Sequence, residues 1–275
     1  MEETGMSNAL IIGYGIVGKD MGRIFPNADI YDPAQNYWPD EMVEVTTLGD
    51  EAPEHRFVDD GKRWEVGFIC VPTPKGERGA ADTSIVEEAV RQWDARCDVL
   101  VIKSTVPPGF TNSMIDKGYR CCMSPEFTGA TLDSQQIDDG FVIIGGRAAH
   151  RRLVAEVYKR AKPSTFKIQL TDPLTAELVK YAENAFLATK VTFFNEWARI
   201  CETFGIEYDE WRELLLNDPR IGRSHTQSFR DQRYYASHCM DKDLPAMIHA
   251  ARENGYMASL LEVVEAINND WRAEQ

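Results

Sequence analysis

Through residue 170 the chain alternates short apolar runs with longer amphipathic stretches. Apolar runs at 9–12, 28–31, 43–46, 66–71, 99–103, 120–123 and 141–145 are each bounded by turn-forming or charged residues, the length and flanks of buried strands. Segments 17–24, 84–91 and 148–160 between them have helix length and one apolar face. That order predicts an α/β unit built on a mainly parallel sheet. The polar, acidic stretch 46–62 leads into the strand that ends at Val71. The character changes after Leu170. Thr171-Asp172-Pro173 reads as a cap followed by a proline start, and residues 174–204 then run without proline or glycine. At about 1.5 Å per residue that helix would be some 45 Å long. A further helix is predicted over 256–271. The expected organisation is an α/β domain over 1–170 and an all-helical domain over 171–275.

The loop after the first strand carries the first chemical signal. Gly13-Tyr14-Gly15-Ile16-Val17-Gly18 opens a helix, and Asp32 follows at the end of the second strand. In such a pattern one glycine makes a tight turn, one lets backbone approach a pyrophosphate, and one lets helix pack on strand. Phosphates would sit at the helix N-terminus, where unpaired N–H groups and the helix dipole favour negative charge. Asp32 can accept both ribose hydroxyls, whereas a 2′-phosphate would meet a carboxylate, so the expected cofactor is NAD. The first domain is therefore expected to be Rossmann-like, with Gly13, Gly15, Ile16, Val17, Gly18 and Asp32 against the dinucleotide. Two more strand ends, Pro72-Thr73-Pro74 and Ser104-Thr105-Val106-Pro107-Pro108-Gly109, are expected at the same crevice.

Composition narrows the partners. With 30 basic and 44 acidic side chains the formal charge is −14, a surface that repels nucleic-acid backbones. No apolar run approaches the roughly 20 residues of a bilayer span, and no signal-like block opens the chain. A cytoplasmic protein without nucleic-acid or membrane partners is expected. The six cysteines show neither metal-ligand nor redox spacing, so no metal is expected. Cys70, Cys97, Cys121, Cys122 and Cys201 read as buried small hydrophobes. Cys239 stands apart, because His238 and Lys242 flank it and such neighbours lower a thiol pKa.

Lys180 and Asn184, four residues apart, share a face of the long helix, with Glu177 on the adjoining turn. Together with the glycine loop, Asp32, Val71-Pro72-Thr73-Pro74, the Ser104 to Gly109 motif, Ser124-Pro125-Glu126-Phe127, Phe194-Asn195-Glu196, Arg220-Ile221-Gly222 and Cys239-Met240-Asp241-Lys242-Asp243, they occur in the order found in one family. In these segments the sequence resembles the UDP-glucose and GDP-mannose 6-dehydrogenases, over about residues 8–270. The resemblance implies two successive oxidations of a nucleotide-sugar C6 alcohol, each reducing one NAD. It implies Cys239 as the nucleophile, Lys180 and Asn184 on the reacting oxygen, Asp243 organising water, Glu126 activating it and Thr105 assisting near the nicotinamide. Glu126, Phe127, Lys180, Asn184 and Arg220 would contact substrate, Arg220 across a homodimer formed by the central helices.

Departures cluster around the substrate. Thr128-Gly129-Ala130 replaces the family's Leu-Arg-Glu-Gly after Phe127, and Arg233-Tyr234-Tyr235-Ala236-Ser237-His238 replaces a glycine-rich approach to the cysteine. The family also continues into a second nucleotide-fold domain, whereas this sequence stops at Gln275. The expectations are a separate polypeptide supplying that domain, a substrate held otherwise, or an NAD-binding dimer that acts as a binding or assembly protein without turnover.

Overall fold

The computed structural model describes residues 8–35, 42–45, 54–57, 62–76, 79–127, 140–162, 164–237 and 239–274. The chain forms two compact units. One comprises Met1–Thr73, Thr83–Glu126 and Asp139–Glu177, and the other Pro74–Asp82, Phe127–Asp138 and Leu178–Gln275. The division falls after Glu177, inside the long helix.

The first unit is a seven-stranded sheet in the order β2-β1-β5-β6-β7-β8-β9, formed by β1 (Ala9–Ile12), β2 (Asp29–Tyr31), β5 (Trp64–Ile69), β6 (Cys97–Ile102), β7 (Cys121–Met123), β8 (Phe141–Gly146) and β9 (Lys167–Thr171). All neighbours run parallel except β7 and β8, which are antiparallel. The central strands are buried on both faces, which is why they read as continuous apolar runs rather than as alternation. Helices α1 (Ile16–Ile24), α2 (Ser84–Trp93), α3 (Phe110–Asp116) and α4 (Ala148–Ala161) cover them. Ile11, Phe68, Val101 and Ile144 on one face pack with Met21 and Phe25 of α1 and Val154 and Tyr158 of α4. The rings of Phe25 and Phe68 stack at 4.9 Å. The opposite face shows at Gly67, where an added Cβ would meet Leu100, Cys97 and Ile12.

Three expectations need correction. The run at 43–46 does not join the parallel sheet. Instead β3 (Met42–Val45) pairs antiparallel with β4 (Glu54–Phe57) in a sheet of its own. β4 lies within the polar stretch read as a connector, where no apolar alternation marks it. β9 was not anticipated because an edge strand buries little; its side chains are exposed or half-buried.

Helix α5 (Pro173–Thr203) starts as the cap signal requires. Asp172 accepts the Thr175 N–H at 2.9 Å and the Thr175 hydroxyl at 2.6 Å. The second unit contains the rest of α5 with α6 (Tyr208–Leu215), α7 (Met240–Glu253) and α8 (Ser259–Ala273). Its core is formed by Ala185 and Ala188 of α5, Tyr235, Met240, Leu244 and Ile248 around α7, and Val264 of α8. Pro245 inside α7 interrupts the helical signature in the sequence.

Backbone approaches backbone closely at the end of β8. A Cβ on Gly145 would lie 2.5 Å from the Asp172 carbonyl oxygen and 2.8 Å from Pro173 Cα, so no side chain fits without moving the start of α5. Gly145→Ala is expected to destabilise the chain by about 1–3 kcal/mol. Thermal denaturation should show this as a Tm lowered by several degrees; an unchanged Tm would contradict the close approach.

Candidate active site

The glycine loop has the geometry that its spacing predicts. β2 and β5 flank β1 on opposite sides, so the loop leaves the sheet where chain direction switches, the usual position of a ligand crevice. Gly13 has φ +89°, and a Cβ there would lie 2.9 Å from the Cys70 carbonyl oxygen. A Cβ on Gly18 would lie 2.1 Å from the Gly13 carbonyl oxygen, which locks helix to strand. Gly15 differs, since a Cβ there would meet nothing within 4 Å. It stands at the N-terminal end of α1. Ile16 is exposed and Val17 half-buried beside it. Asp32, only 8% exposed, accepts the Tyr14 N–H at 2.7 Å and Gln35 Nε2 at 2.8 Å, both on Oδ2. These residues fit a dinucleotide.

At the neighbouring strand ends, Thr73 is buried and Pro72 exposed. The Ser104 hydroxyl donates to the Val71 carbonyl at 2.6 Å, tying the end of β6 to the segment after β5. Thr105 is half-buried. Lys103, at the end of the apolar run 99–103, is 4% exposed and sits 3.2 Å from Glu126 Oε2. Burial alone would pull its pKa down, but Glu126, Tyr158 and Cys70 reverse this and the ammonium is held above its ordinary value. A lysine closing a valine-rich strand was the signal available for it. Glu177 is fully buried and accepts N–H groups of Gly109 at 2.6 Å and Thr111 at 2.8 Å. It caps α3 and belongs to the scaffold.

In the second unit Asn184 Nδ2 donates to Asp243 Oδ2 at 2.6 Å, joining α5 to α7. Asp243 is 1% exposed, and its Oδ1 lies 2.7 Å from Lys242 Nζ. Lys180 Nζ pairs with Glu183 at 2.6 Å and lies 5.4 Å from the centroid of the Phe127 ring. Cys239 begins α7 and is exposed. Its thiol pKa is raised, contrary to expectation. Desolvation is the largest cause and Asp243 the next, and together they outweigh Lys180 and Lys242. His238 and residues 128–130 lie outside the described residues. Burial raises Cys70, Cys97 and Cys122 to about 12, and it raises Cys121 and Cys201 as well, as suits packing groups. Arg220 lies on the loop after α6, with its guanidinium held by Asp218 at 2.5 Å. Lys190 donates to the carbonyls of Ile221 and Gly222 at 3.0 and 2.9 Å. Cys239, Lys180, Asn184 and Asp243 are thus brought together in one unit, Glu126 and Thr105 belong to the other, and Arg220 has a loop of its own.

Among the described residues no cluster of three or more His, Cys, Asp or Glu side chains could hold a metal ion. No described helix is long and apolar enough to cross a membrane.

A Rossmann-like unit with a nucleotide crevice, joined to a helical unit bearing a cysteine, defines a dinucleotide-dependent class. The chain belongs to the UDP-glucose/GDP-mannose dehydrogenase family: the family's NAD binding domain matches residues 47–162 and its central domain residues 174–270. The first match starts beyond the glycine loop and Asp32, whose assignment rests on their own geometry. UDP-glucose 6-dehydrogenase of Rickettsia bellii is 31% identical over 220 residues, 76% of this chain and 50% of that protein. That of Pseudomonas aeruginosa is 33% identical over 221 residues, 74% of this chain and 48% of that protein. The chain spans about half the length of these curated relatives. A UDP-glucose dehydrogenase structure from Pyrobaculum islandicum superposes with a TM-score of 0.75 at 23% identity, covering 98% of this chain and 69% of that one, a likeness of fold.

NAD is the cofactor of the matched domain, and the space at Gly15 tests its seat. Gly15→Ala should leave Tm unchanged yet weaken NAD at least about tenfold, roughly 1.4 kcal/mol. Calorimetric titration checks this; unaltered affinity would place the pyrophosphate elsewhere.

Proposed function

We propose that the chain oxidises the C6 alcohol of a nucleotide sugar of the UDP-glucose type to the uronic acid, with Cys239 as nucleophile. The observation that carries this reading is the 2.6 Å hydrogen bond between Asn184 and Asp243, because it ties the Lys180 and Asn184 face of α5 to the turn bearing Cys239. NAD, when bound, supplies the hydride acceptor for both oxidations. Lys180 and Asn184 donate to the sugar oxygen as negative charge develops on it, Lys180 exchanging Glu183 for that oxygen. The Cys239 thiolate adds to the carbonyl carbon of the C6 aldehyde, forming a thiohemiacetal; loss of hydride leaves a thioester. Water activated by Glu126 then attacks the thioester carbonyl, the C–S bond breaks, and sulfur leaves as thiolate. Lys103, 3.2 Å away, orients the Glu126 carboxylate, Thr105 assists beside the nicotinamide, and Asp243 orders the water. Phe127 and Arg220 hold substrate, Arg220 from the partner in a homodimer.

Incubation with NAD and UDP-, GDP- and dTDP-sugars, alone and with candidate partner polypeptides, should yield two NADH per acid. No NADH from any combination would sink the proposal. Cys239→Ser should leave NAD affinity unchanged and reduce acid release on the order of a hundredfold or more; equal losses of affinity and turnover would contradict the division of roles. A second reading, an NAD-binding dimer without turnover, is favoured by the raised Cys239 thiol and the Lys180–Glu183 pair. Tight NAD binding with an unreactive Cys239 would select it.

Both readings share the dimer. Phe186 and Phe193 on α5 are 64% and 47% exposed, apolar area that self-association would cover. Light scattering at micromolar concentration should give twice the chain mass of 31.2 kDa. A monomer that still binds NAD would exclude this interface as an obligate one.

A further inference from the structure

The approach to Cys239 carries Tyr234, Tyr235, Ala236 and Ser237, and its backbone is held by side chains of α8. Asn268, 1% exposed, accepts the Tyr235 N–H at 2.7 Å and donates from Nδ2 to the Tyr235 carbonyl at 3.2 Å. One amide thus satisfies both backbone groups of one residue. Arg272 Nη2 donates to the same carbonyl at 2.7 Å and pairs with Asp241 Oδ1 at 2.7 Å, and its guanidinium lies 5.2 Å from the centroid of the Tyr234 ring. Tyr235 precedes Cys239 and Asp241 follows it, so Arg272 grips the chain on both sides of the cysteine. Between these points the Ser237 hydroxyl accepts the Met240 N–H at 3.0 Å and the Ser237 carbonyl accepts the Asp241 N–H at 3.1 Å, closing the turn that contains Cys239.

We propose that Asn268 and Arg272 are positioning residues for Cys239, holding the chain at Tyr235 before the cysteine and at Asp241 after it, so that the thiol is presented in one conformation. The inference rests on the reading of Cys239 as the nucleophile. Its physical basis is the cost of the alternative, since moving the segment leaves a buried N–H and carbonyl unpaired and separates Asp241 from its cation. Neither side chain has an isofunctional replacement. Aspartate at 268 keeps the acceptor and loses the donor, and lysine at 272 keeps the charge and loses the planar fork that bonds, pairs and stacks together.

The test reads the thiol rather than turnover. In the full-length chain, the rate at which iodoacetamide modifies Cys239 is followed by peptide mass spectrometry from neutral to alkaline pH. The charged groups acting on that thiol are Asp243 and Lys242 of α7 and Lys180 and Glu183 of α5. Cys239 is exposed, so loosening the segment acts on the thiol by changing its distances to these charges rather than by admitting water. Asn268→Asp and Arg272→Lys are each expected to change the rate of modification at neutral pH by about fivefold or more and to move the midpoint of the rate–pH profile away from the parent's. Cys97, Cys121 and Cys122 should stay unmodified, which reports an intact fold. Should Asn268→Asp fail that criterion, Arg272→Lys and Arg272→Met, at a side chain 39% exposed, carry the test. Rate–pH profiles superimposing on the parent's in folded variants would overturn the proposal. A shifted profile in a protein that oxidises no nucleotide sugar would uphold the positioning and sink the dehydrogenase reading.

Discussion

The arrangement of the helical unit depends on one buried carboxylate. Asp243, almost without solvent contact, needs a donor for its charge to be tolerable in a low-dielectric setting, and Asn184 supplies it from α5 across a sequence separation of 59 residues. That requirement fixes the register of α7 against α5 more sharply than the apolar contacts of Ala185, Ala188, Leu244 and Ile248 could, because apolar packing tolerates sliding and a short hydrogen bond does not. The same charge opposes formation of a thiolate at Cys239, one turn earlier on α7. Alignment and activation therefore conflict in this residue. Lys180 and Lys242 offset the conflict in part.

The first unit has a parallel arrangement of opposite emphasis. Lys103 closes β6 almost out of contact with solvent, and Glu126 supplies its countercharge. Here the countercharge favours the buried cation, and with Tyr158 and Cys70 it holds the Lys103 ammonium above its ordinary pKa against the cost of burial.

Much of this was legible in the sequence, for identifiable reasons. The glycine loop, Asp32 and the start of α5 were readable because turns, caps and close approaches are demands of local backbone, and few residue types meet them. The long helix was readable from an uninterrupted apolar face. β9 was hidden because an edge strand has no need of an apolar run. α7 was hidden by Pro245, and β4 by its polar residues. Electrostatics was the least legible layer: Lys242 beside Cys239 suggested a lowered thiol, but its effect depends on Asp243 and on burial, which no spacing in the sequence reports. Glu177 was noted as part of a polar face, yet it turned inward to cap α3.

The reversed strand β8 has a consequence for helical phase. β1, β5 and β6 hand the chain off at the crevice edge of the sheet. β8 runs against β7, and β9 follows β8, yet Gly145 and Thr171 at their ends stand level with Met123 and Ile102, so α5 begins tightly under Gly145 at the level where β6 ends. Glu177 then engages Gly109 and Thr111 on the chain that follows β6. With its start pinned at Pro173 and its first turn pinned at Glu177, α5 cannot rotate about its own axis. The first turn of α5 is therefore fixed in angle by backbone groups of the sheet and of α3, not by apolar packing.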